Sequence, residues 1–94
     1  MDFSSVYNSH EKNVFAAVAA SAERYPGVSG HPELLADVAC VALNRMPPHY
    51  IRHSADLAFF TTEKERIAVS RDIDESVDFA FSYVQARHAM AARR

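Results

Sequence analysis

The stretch Asp37-Val38-Ala39-Cys40-Val41-Ala42-Leu43-Asn44-Arg45-Met46-Pro47-Pro48-His49-Tyr50 decides how this chain folds. A helix-type apolar run from Val38 to Met46 meets two consecutive prolines. Neither proline has a backbone N–H, and each restricts the residue before it to extended geometry, so the helix stops there. A short basic and aromatic segment follows at once. Between positions 45 and 53 stand Arg45, His49, Tyr50, Arg52 and His53, with no acid among them. A stiff corner carrying cations and a ring suits a small anionic ligand; the plainer alternative is a helix stop whose charges only keep it soluble.

Upstream of the corner, Pro32 is placed for the first helical position, with Glu33 favourable to the N-terminal dipole. Leu35, Val38, Ala39, Ala42 and Met46 form the inner stripe of this second helix, widened by Leu34, Val41 and Leu43. So wide an apolar surface predicts a central helix or a dimer interface. Cys40, the single cysteine, lies inside the run and is expected to pack as a small inert hydrophobe.

Before it, Val6, Val14, Val18, Ala22 and Tyr25 share a helical stripe, with Phe15 and Ala19 beside it. Asn8 and Glu11 stand three apart, the spacing of an N-cap with a carboxylate reaching back, unless Asn8 already lies in the first turn. This first helix is expected to end near Arg24 or Tyr25. The segment Pro26-Gly27-Val28-Ser29-Gly30 carries both glycines of the chain and reads as a loop.

Downstream, Tyr50-Ile51-Arg52-His53 alternates like an extended segment, while Asp56 to Phe60 fits a short strand or a helical turn. Thr62-Glu63-Lys64-Glu65 matches a capping box, and Ile73, Val77, Ala80, Phe81 and Val84 keep helical spacing to about Met90. One helix or two between 63 and 90 is left open, and the tail from Ala91 to Arg94 is expected to fray. The fold class is mainly α: one small compact domain, residues 1–94, of four to five helices with a Pro-Pro corner.

Ninety-four residues support one thin core, and no disulfide framework reinforces it. The N-terminal residues lack the pattern of a signal peptide, and no apolar run reaches the roughly 20 residues that span a bilayer. The expected location is the cytoplasm, with no membrane partner. A net charge of −2 argues against binding a nucleic-acid polymer. Catalytic patterns are missing: there is no nucleophile elbow, phosphate-cradling loop or Gly-x-Gly-x-x-Gly fingerprint. Asp72, Asp74 and Asp78 read as a solvated helix face. The five histidines show no helical His-x-x-x-His pair, so neither a metal site nor an enzyme is expected.

Asp37, Ala42-Leu43-Asn44, Pro47-Pro48 and Tyr50, together with Asn8-x-x-Glu11-x-x-Val14, resemble the signature of the late-competence-development ComFB family. The resemblance covers nearly the whole chain, and its specific part is about a dozen residues. It implies a small, largely helical homodimer that acts as a receptor for cyclic dinucleotides, cyclic di-GMP or cyclic di-AMP, and signals through an unidentified downstream protein. Some members hold zinc through cysteines between the first two helices. Here that segment has none, and its order is expected to come from the proline and the dimer.

A cyclic dinucleotide is a compact dianion with two flat bases. The ligand set expected for it is Asp37, Asn44, Arg45, His49, Tyr50, Arg52 and His53, with no further cofactor. Arg45 and Arg52 would take phosphate or guanine and Tyr50 would stack. Asn44 would read a base edge or cap the second helix. Asp37 shares the face of Val41 and Asn44, and its plainer role is a salt bridge to Arg45 or to the first helix. The alternatives are a helical protein-interaction module and a small DNA-binding regulator, neither with a nucleotide ligand.

Overall fold

Pro32 opens, and Pro47 closes, the helix on which the rest of the molecule is built. The computed structural model describes residues 1–92. In chain order it contains β1 (Tyr7–Asn8), α1 (Glu11–Ser21), a 3-10 turn (Ala22–Arg24), α2 (Pro26–Ser29), α3 (Pro32–Arg45), β2 (Tyr50–Ile51), α4 (Ser54–Phe60) and α5 (Glu63–Ala92). The mainly helical fold class holds, with five α-helices among the described residues. α3 has Pro at its first position, Glu33 in its first turn and Arg45 in its last. Met46, the residue before the prolines, is extended (φ −105°, ψ 140°), as the proline ring behind it demands.

α3 packs mainly on α5 and also on α1. The core lies where the three meet: Val14 and Val18 from α1, Val38, Ala39 and Ala42 from α3, and Ile73, Val77, Ala80, Phe81 and Val84 from α5. Spacings of three and four along each helix put these residues on single stripes. Phe81 is fully buried and stacks on Tyr25, with ring centroids 4.3 Å apart and planes within 4°.

Several expectations are corrected. The 26–30 segment is not simply a loop: Pro26–Ser29 forms one helical turn and drives Val28 to full burial in the core. Pro26 at the first position and Val28 in the core both fix this turn from within the chain. Cys40 is exposed. At 100° per residue it falls roughly opposite the Val38–Ala42–Met46 stripe, a phase that apolarity alone does not reveal. Val6 leaves the first-helix stripe and is exposed, because α1 begins only at Glu11.

Residues 54–60 are helical, not a strand. A single 30-residue helix covers 63–92, its start capped by Thr62 Oγ1, which accepts the Glu65 N–H at 3.1 Å. Ala91 and Ala92 continue that helix rather than fray; Arg93 and Arg94 lie outside the described residues. No described helix is long and apolar enough to cross a membrane.

Candidate ligand-binding site

The corner is fastened to the start of α1. Asn8 is buried in β1, which pairs antiparallel with β2 (Tyr7 with Ile51, Asn8 with Tyr50). Its side-chain Oδ1 accepts the backbone N–H of His10 and of His49, each at 3.2 Å. The Glu11 carboxylate accepts the Asn8 N–H at 3.3 Å, and the Ser9 N–H donates to the His49 carbonyl at 2.7 Å. The Asn8–Glu11 spacing thus marks a real reach-back. Yet Asn8 stands in a strand two residues before the cap position, neither as the N-cap nor inside the first turn.

The segment held this way forms one end of a cleft of about 890 Å³, within the roughly 300–1,000 Å³ of small-molecule sites. Pro47, Pro48 and His49 line that end. Ala17 of α1 and Val69 and Ile73 of α5 form an apolar floor, and Leu57 and Ala58 of α4 face it. Polar groups also line it: Ser9, His10 and Asn13 from around the start of α1, Ser54 and Thr61 from the ends of α4, and Glu65, Arg66, Ser70 and Asp74 from α5. The last three are spaced by four, one turn each, along a single face. Ser9 Oγ and His49 Nδ1 are hydrogen-bonded at 3.1 Å, and the His10 and His49 rings lie 6.3 Å apart. Burial, then the nearby His49, lower the pKa of His10; the Pro47 carbonyl and the charge of Asp72 oppose the shift only in part.

Of the seven expected ligand residues, His49 alone lines this cleft. Tyr50, Arg52 and His53 are exposed on the stretch that leads from the corner into α4. Arg45 points to α5, its guanidinium carbon 3.8 Å above the centre of the Phe79 ring, an interaction worth about 0.5–1 kcal/mol at an exposed site. Asp37 and Asn44 sit on the outward stripe of α3, which contributes nothing to the cleft. Asn44 does not cap its helix, since the closing bond runs from the Met46 N–H to the Leu43 carbonyl. Its amide donates instead to Cys40 Sγ at 3.7 Å. Asp37 forms no ion pair among the described residues, with Arg45 or with α1.

Ser9, His10, Asn13, Arg66 and Ser70 were not singled out by sequence reasoning. The Arg66–Ser70–Asp74 period is visible in the sequence, but nothing there says what the face looks onto.

Comparison with known families gives one match. The family of the late competence development protein ComFB matches residues 7–88. This chain belongs to the ComFB family. No curated protein and no solved structure matches it. The structure gives part of the signature of this ComFB-family chain a physical reading: Asn8, Glu11 and Tyr50 take part in the contacts that tie the corner segment to the stretch before α1.

Proposed function

We propose that this ComFB-family protein is a receptor for a cyclic dinucleotide, not a catalyst, and that it signals as a homodimer through a partner protein. The observation that carries the reading is the Pro47–Pro48 corner. Asn8 ties it down, it walls one end of the cleft, and beside it stand exposed Tyr50, Arg52 and His53. A preorganised corner spares the ligand the cost of ordering a loop. Arginine forks onto phosphate oxygens, and a tyrosine face accepts a base.

Arg52 has no ion-pair partner among the described residues, so its guanidinium is available to an anion. Arg45, its guanidinium carbon over the Phe79 ring, has no ion-pair partner among the described residues and can take a second anion. Asp37 and Asn44 enter the site only through a second subunit, because their stripe faces away from the cleft. The face we assign to that subunit is the shallow apolar groove of about 520 Å³ between α1 and α3, lined by Phe15, Leu35, Cys40 and Leu43. A two-fold ligand suits a two-fold dimer.

Calorimetric titration of Arg52→Ala and Arg45→Ala with cyclic di-GMP and cyclic di-AMP tests the site. Arg52→Ala is expected to weaken binding at least tenfold, about 1.4 kcal/mol or more, as for a lost charge-assisted hydrogen bond. Affinities unchanged in both variants would remove the corner from the reading.

A further inference from the structure

The cleft has a shape and a roof that the corner alone does not explain. Apolar side chains line it from both sides, Ala17, Val69 and Ile73 from α1 and α5 and Leu57 and Ala58 from α4, with hydrogen-bonding groups among them, Ser54 and Thr61 at the two ends of α4 included. An apolar sandwich with hydrogen-bonding groups among its walls is how proteins hold a flat base removed from its stack. Along α5, Arg66 and Asp74 are eight residues apart, about 12 Å along the helix axis, with Ser70 between them. Arg66 is paired with Glu63 at 3.4 Å and Glu65 lines the same cleft, so this row offers no free cation for a phosphate; Ser70 and the Asp74 carboxylate are acceptors for N–H donors on the edge of a base.

The roof is loosely held. α4 has seven residues and buries none of them. It hangs between two extended residues, His53 (φ −125°, ψ 120°) and Thr61 (φ −90°, ψ 126°), which are natural hinges. Thr61 hydrogen-bonds back to the Leu57 carbonyl, within the helix and its own cap. Phe59 and Phe60 form an edge-to-face pair, centroids 5.0 Å apart, and are 82% and 75% exposed. A short helix with its largest apolar rings in water and only its underside on the cleft has little to hold it in place without a ligand.

We propose that the cleft takes a purine ring, held flat between the Val69–Ile73 floor and the underside of α4, and that α4 is the lid that closes over it. The proposal rests on the receptor reading for the source of the purine, a cyclic dinucleotide whose phosphates lie toward Arg52. It places one of the two bases in the cleft and leaves the other to Tyr50.

The test is an amide and methyl NMR titration of the full chain with cyclic di-GMP, cyclic di-AMP, and millimolar guanosine and adenosine, with hydrogen exchange followed on the same samples. A cyclic dinucleotide is expected to shift Ala17, Val69, Ile73 and residues 54–60, and to slow exchange across 54–60 at least tenfold. Ala17→Leu, which fills the floor, is expected to weaken binding at least tenfold while the circular dichroism of the fold is kept. Binding with shifts confined to 50–53, or exchange in α4 unchanged at saturation, would overturn the lidded slot and leave the receptor reading standing. Cleft shifts with guanosine or adenosine but none with either dinucleotide would support the slot and overturn the receptor reading. No cleft shift with any of the four overturns the proposal.

Discussion

His10 sits at the edge of the cleft, half-buried and close to His49, and both facts favour its neutral ring. Its folded pKa therefore lies below the ordinary value of about 6.5. The unfolded chain takes up this proton first as the pH falls, so the contribution to stability is complete above the unfolded pKa. It is lost as the pH falls through the folded value. Thermal unfolding between pH 7.5 and 5 is expected to show Tm falling toward acid, with a shallower slope for His10→Gln; identical slopes would contradict it. This residue was not legible as special in the sequence, because its environment is built by the corner, 39 positions away. Cys40 teaches the converse. Its apolar neighbours suggested burial, and the helical phase placed it outside.

At the scale of elements, Asn8 joins three of them with one side chain. It lies in β1, accepts the His10 N–H at the start of α1 and accepts the His49 N–H before β2. Asn8→Ala leaves two donors short of an acceptor and is expected to cost about 1–3 kcal/mol in chemical denaturation. Asn8→Asp keeps the acceptor and is expected to recover most of the loss; equal loss in both would mean that packing, not acceptance, is the role. Elements bounded by strong punctuation were legible: Pro32 and Pro47 fixed α3, and Thr62 fixed the start of α5. α2 and α4 were not. Each is a turn or two long, too short for a period to declare itself, and each is decided by tertiary contacts, Val28 in the core and Leu57 on the cleft.

The whole molecule rests on a thin core with Phe81 at its centre, fully buried and stacked on Tyr25. Phe81→Ala is expected to cost about 3–5 kcal/mol, a large part of what a domain of this size has, with the loss read from the urea midpoint. A change below 1 kcal/mol would place the centre of the core elsewhere. The core stripe of α5 was readable from Ile73 to Val84, and so was the corner that ends α3. The cleft was not, because it is made by α1, the corner, α4 and α5 together, and no local pattern encodes that meeting. The central claim, that this ComFB-family protein is a cyclic dinucleotide receptor, is tested most directly by calorimetric titration of the wild-type protein with cyclic di-GMP and cyclic di-AMP, using GTP and ATP as controls. The expected result is saturable binding of at least one cyclic dinucleotide and neither control, with a stoichiometry that fits a dimer. Absence of heat with both cyclic dinucleotides at protein concentrations where the fold is intact would contradict it.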